Sequence, residues 1–399
     1  MNKITIYKPA FFWFTVALLI RLISLYGIYY YSIYIGNEGF YPLASGYDDR
    51  YYFEMAIQIM QDKVPDSLPN VYPYILALIF SLVGEHVFFG QLFNVIVSAF
   101  TVFVGVLLAR DLFDSRHVSY MSIKHPANIA GFLLCIYPFS VFYSTQLLRD
   151  SIIQFLGIFN IFFMVRLLKQ HKNVYWLFIM FFTLLLFFIR PYASIIIIGS
   201  FMLYYFLIER KNLLKKIYTA LFIVFPLIAI IPYIAGYGFF GLSYIMPLLS
   251  LETLIDFRER AYSIGGSSVG INFNLDNPVF FVGSYLYSFI TVLLGPLPWQ
   301  IKSAVHFFAL PEAMFFWVLF PLWIKLLFTF FRGRMQYEGF LLMFAILMIA
   351  GIAIFSDNVG ANTRLRLLPI TVLLILSSGY ISRLLTKNYS MECGTDEYT

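Results

Sequence analysis

Charge and cysteine are what this chain has least of. Only 12% of its 399 residues are Asp, Glu, Lys or Arg, about half the share of a soluble globular domain. Its two cysteines, Cys135 in an apolar run and Cys393 in a polar tail, build neither a disulfide framework nor a CxxC metal pair. The five histidines, His86, His117, His125, His171 and His306, show no metal-ligand spacing of the HExxH kind. These shortages exclude a secreted disulfide scaffold, a nucleic-acid reader and a disordered hub, and they set redox and zinc chemistry aside.

What is abundant is apolar surface: 61% hydrophobic residues, 46 Phe and 30 Tyr, with a mean hydropathy of +0.80. Such a chain dissolves in lipid. Runs long enough to cross the hydrocarbon, roughly 20 residues each, fall at 9–35, 87–109, 127–145, 151–168, 174–189, 192–208, 217–235, 308–331, 337–356 and 367–385. Shorter apolar pieces lie at 71–84 and 281–297. The first run reads as a retained span, because it is too long for a signal peptide and no small-residue cleavage site follows it. The expectation is an all-α polytopic membrane helical bundle of about 10–12 transmembrane helices. It occupies residues 1–386, with a polar tail at 387–399.

Lys and Arg gather in short loops, which marks those loops as cytoplasmic. Arg110, Arg116 and Lys124 fill one connection, Arg166, Lys169 and Lys172 another, and Arg210, Lys211, Lys215 and Lys216 a third. The formal net charge of +6 therefore needs no polyanionic partner. Both termini fall on the cytoplasmic side, and 36–70, 146–150, 190–191, 236–280 and 357–366 fall on the outer side. Parity forbids 71–84 a full crossing, so it is expected to be re-entrant or interfacial, and 281–297 likewise. A backbone that dips partway is tolerated only against protein or a watery cavity, so both pieces are candidate walls of a site. Arg21, deep in the first run, must face the bundle.

The acids are few, yet a disproportionate share falls in the outer segments. The sharpest cluster is Asp48-Asp49-Arg50-Tyr51-Tyr52-Phe53-Glu54-Met55-Ala56, just past the first span. Adjacent carboxylates repel, and one of such a pair can serve as a general base; an ordinary solvated loop would look the same. Asp150 opens a helix, where it also suits the helix N-terminus. Arginines on the outer face run against the positive-inside bias: Arg190, Arg258, Arg260, Arg364 and Arg366. Their planar forks of donors suit phosphate oxygens, and interfacial snorkelling is the plainer alternative. The glycine-rich Ser263-Ile264-Gly265-Gly266 stretch matches no P-loop or dinucleotide fingerprint and reads as a linker.

The Asp48–Ala56 segment resembles the Asp-Glu-x-x-Tyr-x-x-x-Ala signature of the GT-C membrane glycosyltransferases, the superfamily of protein O-mannosyltransferases and aminoarabinose transferases. Both acids, Tyr52 and Ala56 match, with Asp49 in place of the usual Glu. Val71-Tyr72-Pro73-Tyr74-Ile75 resembles the family's Pro-rich apolar segment, with Tyr72 at one of the paired prolines. The stretch ending at Asp150 is similar to the family's short outer loop that closes on an acid. Arg364 through Pro369 is similar to its Arg-Tyr-x-x-Pro element, without the Tyr, and Leu294–Gln300 to a Gly-Pro-x-Pro-Trp element of bacterial members.

The resemblance implies a GT-C-like bundle and an inverting transfer of sugar from a polyprenyl-phosphate donor to a glycan, lipid or protein acceptor. It implies catalytic roles for Asp48, Asp49 and Asp150, with Asp48 as the base. Substrate contacts would come from Tyr52, Arg190, Arg258, Arg260, Arg364 and Arg366. No cofactor is implied with certainty, although a divalent cation held by the acids stays open. The expected location is the bacterial inner membrane. An O-antigen-type polysaccharide polymerase or ligase is the nearest alternative, and a secondary transporter a more distant one. The chain shows no internal repeat and its acids collect at one face, which is unlike a transporter.

Overall fold

A computed structural model of the chain describes residues 3–40, 47–63, 68, 70–113, 118–208, 255, 256, 258 and 267–392. Fourteen α-helices follow one another among these residues. They are α1 (Lys3–Tyr34), α2 (Tyr47–Met60), α3 (Tyr72–Val83), α4 (Val87–Leu112), α5 (Pro126–Ile136), α6 (Pro138–Ser144), α7 (Asp150–Gln170), α8 (Val174–Ile189) and α9 (Pro191–Ile208). After a gap come α10 (Pro278–Leu294), α11 (Ala304–Phe331), α12 (Tyr337–Phe355), α13 (Val359–Leu365) and α14 (Leu367–Glu392). In hydrocarbon a backbone must satisfy its own hydrogen bonds, and a helix does so within one segment. The all-helical polytopic bundle expected from hydropathy is what forms. The expected span at 217–235 and most of the outer segment 236–280, Arg260 included, lie outside the described residues.

Among the described residues six helices are long and apolar enough to cross a membrane: α1, α4, α7, α11, α12 and α14. The pair α5 and α6 would make a seventh, bent by 57°. Helices α3, α8, α9 and α10 are apolar but shorter. Of the runs that hydropathy reads as spans, 174–189 and 192–208 are shorter single helices and 217–235 lies outside the described residues. At 12 residues, α3 is about 18 Å long, well short of the hydrocarbon thickness, in keeping with the partial crossing expected for 71–84. Helix α14 runs to Glu392, so the segment set aside as a tail begins as helix.

Burial sorts the spans into centre and rim. Helices α4, α7 and α14 are largely enclosed, whereas α1 and α11 expose Phe12, Ile23, Phe307, Val318 and Phe331. In water such a belt would be a large apolar patch; in a bilayer it is the face the lipid wets. Inside, polar residues join the helices. On α4, Gln91, Asn94, Ser98 and Thr101 are all buried, and their spacing of three and four puts them on one face. Asn160 Nδ2 of α7 donates to Thr183 Oγ1 of α8 at 2.8 Å, and Trp323 Nε1 of α11 to Ser377 Oγ of α14 at 3.0 Å. Close approach needs small residues too. A Cβ on Gly157 of α7 would lie 2.6 Å from Leu368 Cδ1 of α14.

The break between α5 and α6 has a clear cause. Pro138 has no N–H, so the carbonyl of Leu134 loses its helical donor. Arg21 Nη2 reaches that oxygen at 3.4 Å, while Arg21 Nε donates to Ser98 Oγ at 2.8 Å. Ser140 Oγ then donates to Gln154 Oε1 at 3.1 Å, and Gln154 Nε2 to Thr371 Oγ1 at 2.5 Å. A charge in the first span thus sits in the bundle, as its cost requires, and is spread over a chain of hydroxyl and amide groups reaching α14.

Candidate active site

Four separate parts of the chain meet at one end of α7. Asp48 and Asp49 lie in the first turn of α2, where the unpaired N–H groups of a helix favour negative charge. Asp48 keeps 61% of its side chain exposed, whereas Asp49 is buried and accepts from the backbone N–H of Arg50 at 2.9 Å. Asp150 begins α7 and is buried to 1%. Arg190 fills the one-residue corner between α8 and α9, where Pro191 starts the new helix without needing its missing N–H. Arg364 sits near the end of the short helix α13.

Arg364 bridges the acids. Its Nη1 donates to Asp48 Oδ2 at 2.5 Å, and its Nε to Asp150 Oδ2 at 3.1 Å, across 316 and 214 residues of chain. Arg190 Nη2 donates to the other Asp150 oxygen, Oδ1, at 3.0 Å. Burial works against the Arg364 charge, but Asp150 and Asp48 outweigh it and hold its pKa well above the usual value. The guanidinium is therefore a permanent cation between two carboxylates, with 23% of its side chain open.

The turn that delivers Asp150 is held by a residue that the sequence reading missed. Asn94 Nδ2, on α4, lies 2.7 Å from the carbonyl of Gln146, 2.8 Å from that of Leu148 and 2.9 Å from the Tyr72 hydroxyl. The signal was present as the polar stripe on α4, an amide recurring at helical spacing in an apolar run. Tyr72, where the family carries a proline, stands against Tyr52 with ring centroids 5.1 Å apart. Asn70 Nδ2 donates to the Tyr52 hydroxyl at 3.2 Å, and the backbone N–H of Tyr72 donates to Asn70 Oδ1 at 2.9 Å. On the far wall the Tyr143 and Thr363 hydroxyls are 2.7 Å apart. The partly open Asp48 carboxylate meets this framework through Arg364.

Two of the other arginines are used differently. Arg258 is buried and donates to the carbonyl of Ala353 at 2.6 Å and to Ser288 Oγ at 3.1 Å, with Asp357 at 3.5 Å. Arg366, two residues beyond Arg364, is buried to 1% and turns the opposite way, onto Glu312 and two backbone carbonyls. The reason is local geometry: α13 ends at Leu365 and α14 begins at Leu367, so Arg364 and Arg366 leave the junction on different sides. Arg260 lies outside the described residues.

Arg364 supplies the positive charge between Asp48 and Asp150. Among the described residues no group of three or more His, Cys, Asp or Glu is arranged as a metal site. A groove of about 680 Å³ lies apart from the acids, between α10 and residues 269–272, and Trp299, Gln300 and Lys302 line its end. Asp357 anchors that wall by accepting from Ser268 Oγ at 2.6 Å and from the Gly270 N–H at 3.0 Å.

No curated protein and no solved structure matches the chain. A family does, and the matched stretch holds the Asn94 stripe, Asp150 and Arg190, with Asp48 and Arg364 on either side of it. The resemblance to GT-C glycosyltransferases carried by the sequence motifs is thereby supported: residues 67–235 match the dolichyl-phosphate-mannose-protein mannosyltransferase family, a membrane glycosyltransferase of the mannosyltransferase type.

Proposed function

We propose that the protein is an inverting glycosyltransferase of the bacterial inner membrane. It moves a sugar from a polyprenyl-phosphate donor to a hydroxyl of an envelope glycan, lipid or protein at the outer face. The observation that carries this reading is Arg364 lying between Asp48 and Asp150, a cation able to meet a phosphate beside a carboxylate able to take a proton.

The reaction divides among these groups. The acceptor hydroxyl attacks the anomeric carbon, its proton passing to the Asp48 carboxylate as the new C–O bond forms. The bond from that carbon to the phosphate oxygen breaks, leaving its electron pair on the polyprenyl phosphate, and Arg364 and Arg190 stabilise the charge that develops there. Donor phosphate competes with Asp48 for Arg364, and a guanidinium drawn to the phosphate leaves the Asp48 oxygen open to the acceptor hydroxyl. Asp150, buried between the two arginines, sets their spacing. The groove beside α10 takes the donor hydrocarbon, since Val279 and Phe280 on its rim are exposed on an apolar helix.

The opposite ends of the same helices support this orientation. At the far ends of α4 and α7, Asp111 pairs with Arg110 and Arg166 at 2.6 and 2.9 Å, beside the loops whose basic charge favours the cytoplasm. On that reading the acid cluster, at the other end of both helices, faces outward.

The test is sugar transfer in proteoliposomes, with polyprenyl-phosphate mannose as the donor probe and an envelope extract as acceptor. Asp48→Asn and Arg364→Gln should each abolish transfer at undiminished protein abundance. Transfer at the wild-type rate by Asp48→Asn removes the proposed base. A companion measurement is thiol labelling of Gln61→Cys, an exposed position, in a chain whose native cysteines are replaced by Ser. Labelling from the cytoplasmic side alone would overturn the topology.

A further inference from the structure

Glu312 is an acid inside an apolar helix, on α11 directly after Pro311, and it has no exposed surface. Charges so placed are costly and need a partner. The partner is Arg366, whose Nη2 contacts Glu312 Oε2, and the Tyr137 hydroxyl lies beside the carboxylate. The other terminal nitrogen of the Arg366 fork is committed as well. Nη1 donates to the carbonyls of Val292 and Gly295 at 2.9 and 2.8 Å, at the end of α10, and the guanidinium lies 5.0 Å from the Phe316 ring centroid.

Arg366 therefore ties α10 and α11 to the junction of α13 with α14. Its backbone N–H donates to the Asn362 carbonyl at 3.0 Å, and its own carbonyl accepts from the Ile370 N–H at 3.0 Å. A planar fork held by a carboxylate and two carbonyls fixes direction as well as distance. With Arg366 held on one side of the junction, the roll of α13 is set, and so is the direction in which Arg364 leaves the backbone.

We propose that Glu312 and Arg366 form a positioning pair that aims Arg364 at the acids and the donor phosphate, and that neither touches substrate. The inference rests on the reading of Arg364 as a phosphate ligand. Stability alone does not explain a buried ion pair, because apolar residues of similar volume are often as stable or more so.

That property supplies the test. Glu312→Leu with Arg366→Met keeps the packing and removes the charges. The double variant should reach wild-type abundance in detergent while mannose transfer from polyprenyl-phosphate mannose falls roughly 10- to 100-fold. The same pair is then introduced into Arg364→Lys, where the fork to be aimed is gone. Acting only through Arg364, it should produce little further loss there. Wild-type transfer by the apolar pair overturns the inference, and so does an equal fold-loss in both backgrounds. Should the pair reduce abundance, Glu312→Asp, which keeps the charge and shortens the reach, takes its place, with the same two-background comparison deciding. Full activity of Arg364→Gln would overturn the phosphate reading and this inference together. An inactive Arg364→Gln beside a fully active apolar pair overturns this inference alone.

Discussion

Replacing Asp150 by Asn tests the core of the site with one atom's change. Asp150 is 1% exposed and faces Arg190, whose side chain is 6% exposed, and Arg364 at 23%. Asn keeps the size and some hydrogen bonding but leaves two guanidiniums close together with one carboxylate fewer. Removing one partner of a buried pair typically costs about 3–5 kcal/mol, because the remaining charge stays desolvated. Arg364 is partly open and retains Asp48, so water and that second acid soften the loss, and about 3 kcal/mol is the working figure. Arg50→Gln provides the control: its pair with Glu38 is 45% and 73% exposed, and such pairs contribute about 0–1 kcal/mol. The assay is reversible unfolding in mixed micelles, wild type and both variants side by side. Adding Arg190→Met to Asp150→Asn should recover part of the loss. A loss for Asp150→Asn no larger than for Arg50→Gln would refute the claim that Asp150 is the buried counter-charge of both arginines.

Asn94→Leu should orphan the carbonyls of Gln146 and Leu148, each worth about 1–3 kcal/mol when buried without a donor. Hydrogen exchange across 145–150 should accelerate, and unchanged exchange would contradict the role of Asn94. Gly157→Val should force α7 from Leu368 of α14 and destabilise by about 1–3 kcal/mol, read from the same unfolding curves; a neutral result would mean that the two helices are not packed this closely. The pKa of Arg364 is raised by Asp150 and Asp48, so its contribution to stability is complete below the unfolded value and is lost only above the folded one. Between about pH 7 and pH 10, stability should therefore not fall through this group. A loss in that window that disappears in Arg364→Gln would refute this.

Much of the bundle was legible because bilayer helices are written in long apolar runs. The run at 174–189 coincides with α8, and 87–109 and 337–356 fall within three residues of the ends of α4 and α12. The break inside 127–145 was not read, although Tyr137-Pro138 carries it, because an apolar average does not register one missing N–H. The residues now gathered around Asp150 were visible singly: Asp48 by its motif, Arg190 and Arg364 as cations on the wrong side for the positive-inside bias. Separating Arg364 from Arg366 was beyond the pattern, since two residues straddling a helix junction differ by the turn of the backbone and not by composition. Glu312 escaped because one acid scarcely dents the hydropathy of a 28-residue helix. Asn94 escaped because amides carry no charge to flag them.

The span of chain between Asp48 and Arg364 has a consequence for biosynthesis. A nascent polypeptide carries Asp48 and Asp150 early and receives Arg364 only when α13 has been made. Until then the precursor holds the two acids without the guanidinium that joins them. Closure of this cluster and completion of the bundle are thus coupled, and a product truncated before α13 would lack the bridge altogether.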